Sequence, residues 1–359
     1  MERLASEGIS VGVTPVGGML EGLEIEYGGR RIEPLHRAPW VGVEAMPADA
    51  APHLAVLEGD FFCAPFGRPD EDGVPAHGWP ANGDWSEVAV ERGADGAVTG
   101  RYALAQAVCG ARVAKEITLR PGHPVVYQRH LLSGGEGAIP VAHHAMIRGP
   151  GGARISFSAK DFGATPSTPL ESDPARGRSL LAYPQRFAVL DDVGLADGGR
   201  ADLRSYPWAE REEDFLTLFD PADARVGWSA AVAAADGFVF FAVKDAALLC
   251  QTSLWMSNGG RSYAPWSSRH LAVLGIEEGA SHFGDGRLAS AAANDLAAAG
   301  YRTAIPLGGE VAIRYALGAI PVPEGWREVA DVGIVEDSLV VSDVGGGSVR
   351  VPFDSGFLA

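Results

Sequence analysis

The sequence predicts an all-β protein made of large antiparallel sheets that are stacked on one another. Apolar residues recur at every second position, 47 glycines and 24 prolines are spread along the chain, and no helix-length segment separates the strand candidates. The first clear case is residues 23–27, where apolar residues alternate with glutamates before the Gly28-Gly29 turn. Strands that follow one another without intervening helices favour antiparallel pairing.

The same alternation marks further strand candidates along the chain. Each is bounded by turn residues, such as Pro121-Gly122 between the first two. In chain order the candidates are 113–119, 125–132, 139–147, 154–158, 215–219, 226–234, 238–243, 248–256, 270–276 and 311–317.

One segment predicts a helix, and one predicts long loops. Residues 287–299 are rich in alanine, place apolar side chains on one stripe and end at Gly300, which is a typical C-terminal stop. Residues 162–199 are rich in Pro, Gly, Ser and Asp, and they predict loops with one short strand at 180–183. Such loops often surround a binding cleft.

The chain is predicted to form one β-sandwich domain over residues 1–320. Residues 321–359 contain two more strand candidates, 331–335 and 338–342, and a glycine turn at 345–347. We expect this tail to be a hairpin extension that packs on the domain.

Composition and charge exclude several classes of function. The 359 residues include 29 basic and 46 acidic ones, for a net charge of −17, and no Lys/Arg block is present that could follow a nucleic-acid backbone. The first residues lack a signal-peptide pattern and no apolar stretch reaches membrane-spanning length, so a cytoplasmic protein without a membrane partner is expected. Three cysteines in no metal-ligand spacing predict reduced thiols.

The first candidate site segment joins Gly67-Arg68 to His77-Gly78-Trp79 through an acidic loop. Arg68 and His77 offer hydrogen-bond donors, and Trp79 offers a flat apolar face, a mixture that suits a polyhydroxylated substrate. The alternative is an ordinary loop in which Arg68 pairs with Asp70 or Glu71 and the histidine is simply exposed.

Two further segments carry acid–base chemistry. In the strand candidate 139–147, His143 and His144 must point to opposite faces, so that only one of them can be catalytic. Glu277 and Glu278 end the apolar run 271–276, where burial and a neighbouring imidazolium would tune a carboxylate as a base. For Glu278 we favour a solvated turn.

An aromatic loop between these strands adds sugar-binding candidates. Trp255 and Trp266 offer faces on which a sugar can stack, and Arg261 offers a guanidinium donor. A hydrophobic plug between sheets would have a similar composition.

Other common reaction types have no motif in this chain. There is no phosphate-binding loop that ends in Lys-Ser or Lys-Thr, and no His-Glu-x-x-His or paired-cysteine spacing. Neither a cofactor nor a metal is expected, and acid–base catalysis needs neither.

The order of these segments resembles the aldose 1-epimerase (galactose mutarotase-like) superfamily over roughly residues 20 to 320. The resemblance implies a β-supersandwich of large antiparallel sheets with one short helix and a sugar cleft on a concave face. Carried onto this sequence, it implies that Arg68 and His77 bind sugar hydroxyls, His144 acts as the acid and Glu277 as the base. His143, Trp79, Trp255, Arg261 and Trp266 remain further substrate-binding candidates.

The expected activity is therefore the interconversion of the anomers of a free sugar by ring opening. One alternative is a non-catalytic carbohydrate-binding or regulatory protein on the same fold. Another is a sugar-phosphate mutarotase, which would need cations such as Arg261 and Arg269 at the cleft rim. The small-molecule partner is a carbohydrate in each case, and the sequence leaves open which sugar it is and the oligomeric state.

Overall fold

A computed structural model describes residues 1–358, and almost all of its regular secondary structure is β-strand. The first half contains β1 (Leu4–Ser6), β2 (Ile9–Val13), β3 (Leu20–Tyr27), β4 (Arg30–Ile32), β5 (Phe62–Cys63), β6 (Trp85–Arg92), β7 (Val98–Leu104), β8 (Ala111–Leu119), β9 (Val125–Gly134), β10 (Ala138–Ile139), β11 (Val141–His143), β12 (Ala145–Arg148), β13 (Ala153–Phe157) and β14 (Phe162–Thr165). The second half contains β15 (Gln185–Phe187), β16 (Val193–Gly194), β17 (Arg200–Ala201), β18 (Ser205–Tyr206), β19 (Glu212–Phe219), β20 (Val226–Ala233), β21 (Phe238–Asp245), β22 (Gln251–Asn258), β23 (Val273–Ala280), β24 (Ile305–Pro306), β25 (Glu310–Pro321), β26 (Val329–Ile334), β27 (Ser338–Asp343) and β28 (Ser348–Pro352).

Helices are few and short. They are a 3-10 turn at Pro52–Val56, α1 at Gly78–Asn82, α2 at Arg287–Ala291 and α3 at Asp295–Ala298. None of the helices in residues 1–358 is long and apolar enough to cross a membrane.

Two large antiparallel sheets form the body of the molecule, which confirms the predicted fold class. One has nine strands in the order β18-β13-β20-β21-β25-β9-β8-β7-β6. The other has eight, in the order β15-β14-β19-β22-β23-β11-β5, with β12 also paired to β23. A core of alternate apolar side chains fills the space between the sheets; examples are Leu254 and Ile276 from the eight-stranded sheet and Phe240 and Leu317 from the nine-stranded one.

The eight-stranded sheet is covered on both faces. Its second face carries another apolar cluster, which includes Phe61, Phe215, Trp255 and Trp266. Central strands β19 and β23 are therefore buried at every residue. We call the face toward the nine-stranded sheet the core face and the opposite one the cavity face.

The C-terminal tail forms three strands where the sequence predicted a two-stranded hairpin. The additional strand is β28, which pairs with β27 beyond the glycine turn. The small sheet lies against the outer face of the nine-stranded sheet, where Phe353 and Val341 join Trp228 and Phe241 in a third apolar cluster.

Three local predictions need correction, and one hairpin was not predicted. The helix at 287–299 is present as two pieces, because the side chain of Asn294 accepts a hydrogen bond from Ala297 N and starts α3 anew. Residues 180–183 form no strand, since Leu181 makes only an isolated bridge. The single strand at 139–147 is β10, β11 and β12, and the edge hairpin β6-β7 was not predicted, because β6 alternates too weakly to be recognised.

Candidate active site

A cavity of about 460 Å³ opens on the cavity face of the eight-stranded sheet. Strands supply its floor, and loops from several parts of the chain supply its walls. Among its lining residues are Asp49, His53, Phe61, Arg68, His77, His144, Arg176, Phe215, Trp255, Arg261, Tyr263, Trp266 and Glu277. The structure thus brings together seven of the nine predicted site residues, all except Trp79 and His143.

Strand register places His144 opposite Glu277 in the floor. Ala145 on β12 pairs with Ile276 on β23, and β11 continues in the same register on the other side of His144. The imidazole Nε2 of His144 lies 3.0 Å from Oε1 of Glu277, and both side chains are almost completely buried. His144 Nδ1 and Glu277 Oε2 have no hydrogen-bond partner. An imidazole and a carboxylate in contact at the base of a cavity can move protons in opposite directions on one bound molecule.

Glycines on β23 leave room around the Glu277 carboxylate. Gly275 and Gly279 are two residues away on either side, so they share the cavity face with it. A Cβ at Gly275 would lie 3.1 Å from Trp255 Cβ and 3.2 Å from Glu277 Oε1. Side chains at this position would crowd the carboxylate.

Glu278 belongs to the core face, not to the solvated turn that the sequence suggested. Glu277 and Glu278 are both in the middle of β23. The carboxylate of Glu278 lies 2.5 Å from Lys244 Nζ. The same ammonium group lies 2.8 Å from Asp220 Oδ2. Burial by itself would lower the pKa of Lys244, but the two carboxylates raise the pKa above its ordinary value. Glu278 is therefore one member of a buried ion cluster.

Asp60 and Phe61 hold His144 in place. The backbone N–H of His144 lies 2.9 Å from both Asp60 Oδ1 and the carbonyl oxygen of Phe61. The Phe61 ring stacks on the imidazole, with centroids 4.5 Å apart and 18° between the planes. These contacts leave the ring edge directed at Glu277.

His143 is placed where it cannot touch a ligand in the cavity. Period-two alternation turns it to the core face, where Nδ1 lies 3.0 Å from Asp60 Oδ2 and the ring stacks on Tyr315 at a centroid distance of 4.3 Å. Gln128 donates a 2.6 Å hydrogen bond to the same carboxylate oxygen. The predicted substrate-binding role of His143 is thus corrected to a place in a buried polar cluster.

His77 enters the cavity from a tight turn at the start of α1. It has a left-handed backbone, with φ of 64°, and Gly78 follows with φ of 71°. A Cβ on Gly78 would lie 2.0 Å from the carbonyl oxygen of Ala64, so only glycine fits there. Burial, followed by the nearby His53 and His144, holds the pKa of His77 well below its ordinary range. The ring is neutral and offers one donor and one acceptor.

Trp79 does not line the cavity. It is the second residue of α1, two positions after His77, and it packs against the apolar core between the sheets. Its predicted role in sugar stacking is therefore corrected, since the helical turn directs residues 77 and 79 to different sides.

Arg68 is at the cavity mouth, half-exposed and paired with Asp285 at 3.2 Å. The alternative pairing that the sequence allowed, with Asp70 or Glu71, does not form. Glu71 binds the Arg287 side chain, and Asp70 accepts from the first backbone N–H groups of α2. Arg68 is thus held at the cavity mouth by Asp285, with half of its side chain open to a ligand.

A buried carboxylate, Glu213, organises the aromatic wall. Its Oε1 accepts a 2.5 Å hydrogen bond from Trp255 Nε1 and lies 3.5 Å from Arg261 Nε. The Arg261 guanidinium stacks over the Trp266 ring, 4.6 Å from the ring centroid. Burial raises the pKa of Glu213. Arg269, predicted at the rim, instead pairs with Glu44 outside the cavity.

Sequence reasoning did not identify several of these residues. Glu213 is in the run Glu212-Glu213-Asp214, whose composition is typical of an exposed, acidic strand end. His53 and Asp60 carry no motif at all, and only contacts between distant segments reveal their position. In residues 1–358, no group of three or more His, Cys, Asp or Glu side chains is arranged to hold a metal ion.

Comparisons with known proteins support the fold. No protein-family model matches the sequence, and no curated protein matches it either. The structure is similar to a crystal structure of a putative aldose 1-epimerase from Escherichia coli K12 (TM-score 0.56, 13% identity, 89% of this chain and 98% of that chain covered). It is also similar to an aldose epimerase homologue from C. elegans (0.56, 12%, 89% and 98%) and to a galactose mutarotase related enzyme from Lactobacillus acidophilus (0.50, 12%, 90% and 98%). The chain therefore has the aldose 1-epimerase, or galactose mutarotase-like, fold.

Proposed function

We propose that this protein interconverts the anomers of a sugar by general acid–base ring opening. The observation that carries this proposal is the buried contact between His144 and Glu277 at the base of a sugar-sized cavity. The fold, which it shares with structures described as aldose 1-epimerases, is consistent with it.

In this mechanism Glu277 removes the proton of the anomeric hydroxyl while His144 protonates the ring oxygen. These two oxygens are bonded to the same carbon, so an acid and a base that are neighbours can serve them together. The incoming sugar replaces the direct contact between the side chains with one hydrogen bond to each. The bond between C1 and the ring oxygen breaks as the anomeric oxygen becomes a carbonyl. After rotation about the C1–C2 bond, the same hydroxyl attacks the other face of the carbonyl, the C1–oxygen bond forms again, and both proton transfers reverse to give the other anomer. Each transfer contributes a factor on the order of 10² to 10⁴ in rate.

The cavity walls would hold the sugar for this reaction. Trp255 and Trp266 present aromatic surfaces for the apolar side of a pyranose ring. The neutral His77 and the guanidinium of Arg68 offer hydrogen bonds to hydroxyl groups. Because the floor is buried, bulk water competes little with the bound sugar for the acid and the base.

The experiment is to follow the relaxation of freshly dissolved pure anomers by polarimetry or NMR. Catalysis predicts faster relaxation of at least one sugar with the protein present. Glu277→Gln should remove this acceleration while sugar binding, measured by calorimetry, persists. The matched control is Glu336→Gln on an exposed glutamate, which should relax the sugar like the wild type.

Binding without acceleration of any sugar would support the second candidate, a non-catalytic carbohydrate-binding protein. It would reject the catalytic proposal, because the pair would then be a structural ion pair.

A sugar phosphate is a further candidate substrate, favoured by three arginines in the lining. Arg68, Arg176 and Arg261 line the cavity. Arg68 and Arg176 are half-exposed, so a phosphate could take the place of the carboxylates with which they pair. The anomer panel should therefore contain hexose 6-phosphates beside the free sugars. A preference for the phosphorylated form that falls in Arg176→Gln would identify it as the substrate.

A further inference from the structure

We propose that His53 is a third substrate-binding imidazole, which recognises a sugar hydroxyl remote from the anomeric carbon, and that Asn82 holds it in register with His77. This inference rests on the proposed sugar site and adds to it the part of the cavity that discriminates between sugars.

His53 belongs to the cavity wall formed by residues 49–57. It lies in the 3-10 turn at Pro52–Val56 and lines the cavity. The residue is nine-tenths buried. Its Nδ1 is enclosed beside the Asn82 side chain, whereas its Nε2 is not enclosed and makes no hydrogen bond within residues 1–358. A sugar hydroxyl in the cavity can therefore hydrogen-bond to Nε2.

Three imidazole rings follow one another along the cavity, and their order would define the orientation of a bound sugar. His53 is 5.1 Å from His77 between ring centroids, and His77 is 5.4 Å from His144. Both steps are edge-to-face. His144 contacts Glu277, so the anomeric carbon would lie at that end of the row. His53 is at the other end, two rings away from the reacting carbon.

His53 is neutral at every physiological pH. Burial first, and then the proximity of His144, lower its pKa to about 3. A neutral imidazole has one N–H donor and one acceptor nitrogen. This complements a hydroxyl group, which also donates and accepts, and it does not favour an anion.

Asn82 fixes His53 and His77 to one another. Its Oδ1 accepts a 2.8 Å hydrogen bond from the backbone N–H of His53. Its Nδ2 donates to the carbonyl oxygens of Ala76 at 2.8 Å and Gly78 at 2.7 Å, on the two sides of His77. One buried amide thus connects the two segments that carry the imidazoles. We expect Asn82 to act as a positioning residue for both.

The test measures sugar affinity in Glu277→Gln protein, so that turnover does not interfere. The probes are D-glucose, D-galactose and D-mannose and the monodeoxy forms of the sugar that binds best, and the method is calorimetry. His53→Phe keeps the ring packing and removes both hydrogen-bonding nitrogens. We expect Kd to rise about three- to tenfold for the parent sugar. For the one monodeoxy sugar that lacks the recognised hydroxyl, Kd should not change.

Controls separate recognition from folding. His36→Phe makes the same replacement in a half-buried imidazole outside the cavity, and its Kd should match that of the parent protein. His53→Gln restores a donor and an acceptor and should recover part of the affinity. In active protein, His53→Phe should raise KM with little change in kcat, whereas loss of Asn82 in Asn82→Ala should change both.

Two results would overturn the inference. One is an unchanged Kd in His53→Phe, and the other is an equal loss for the parent sugar and for every deoxy form, which would indicate a general distortion of the cavity. If the wild type binds sugar but does not accelerate mutarotation, the catalytic proposal fails, whereas the Kd pattern still decides the role of His53. Absence of binding to any probe would reject both proposals.

Discussion

The segment β11–β12 and its partner strand β23 place one histidine and one glutamate on each face of the sheet. The surroundings of these groups differ between the two faces. On the cavity face, His144 and Glu277 contact each other and line an open cavity. On the core face, His143 is bound by Asp60, and Glu278 is bound by Lys244. On the cavity face the two groups are bound to each other and a ligand can reach both, whereas on the core face other buried residues bind them, away from this cavity. Residue type alone does not distinguish the two faces.

The largest expected effects separate the two glutamates of β23. Glu277→Gln should lower kcat by about 10² to 10⁴ and leave the free energy of unfolding nearly unchanged. Glu278→Gln should destabilise the protein by about 3 kcal/mol, since Lys244 would keep only one of its two buried carboxylate partners. Urea unfolding and mutarotation measured on both variants give the comparison. Loss of stability in the first variant, or full stability in the second, would contradict the assignment of the two faces.

Asp60 connects the faces, and its replacement should have an intermediate effect. In Asp60→Asn, the remaining oxygen can still accept from the His144 N–H, but the new NH2 group, which only donates, can accept from neither Gln128 nor His143. We expect a loss of about 2 kcal/mol in the free energy of unfolding and a fall in kcat of about threefold to tenfold with KM unchanged.

The split between kcat and KM is decisive for Asp60. An equal change in both, or a change in stability alone, would show that Asp60 has no positioning role toward His144. Asp95→Asn, on an exposed aspartate, is the control.

Buried imidazoles inside and outside the cavity should also make stability depend on pH. His53 has a pKa of about 3 in the folded protein and His36 one of about 4, against 6.5 ordinarily, because burial disfavours their charged forms. Below pH 6.5 the unfolded chain binds protons that the folded chain does not, so stability falls as the pH is lowered. Each histidine contributes up to about 1.4 kcal/mol per pH unit in this window.

Urea unfolding at several pH values between about 7 and about 4 checks this prediction. His53→Phe should reduce the slope. His282→Gln should steepen it, because a hydrogen bond to Asp285 raises the pKa of His282 and makes it a stabilising group at acid pH. A slope that His53→Phe leaves unaltered would mean that His53 is not buried as a neutral ring.

The smallest effect is expected from Tyr315, which stacks on His143 in the core face. Its hydroxyl is buried without a partner, so Tyr315→Phe should keep the stacking and change the free energy of unfolding by less than about 1 kcal/mol. Chemical denaturation measures this directly. A larger loss would indicate that a buried water molecule joins the hydroxyl to its neighbours.

Much of the fold could be predicted from local pattern, because a strand with one apolar face must alternate with a period of two. The predicted strands 113–119 and 226–234 correspond closely to β8 and β20. Prediction failed where long-range contacts decide the outcome. β6 is an exposed edge strand with weak alternation, and β28 is recognised mainly by its pairing with β27.

By itself the sequence determined that His143 and His144 point to opposite faces, because neighbouring residues on a strand always do. It also placed glycines on both sides of Glu277 on the same face. Only the tertiary structure decided which histidine faces the cavity, since this depends on which side of the sheet the nine-stranded sheet covers. It alone brought His53, Asp60 and Glu213 to the site, because contacts between segments far apart in the chain leave no periodic signal in the sequence.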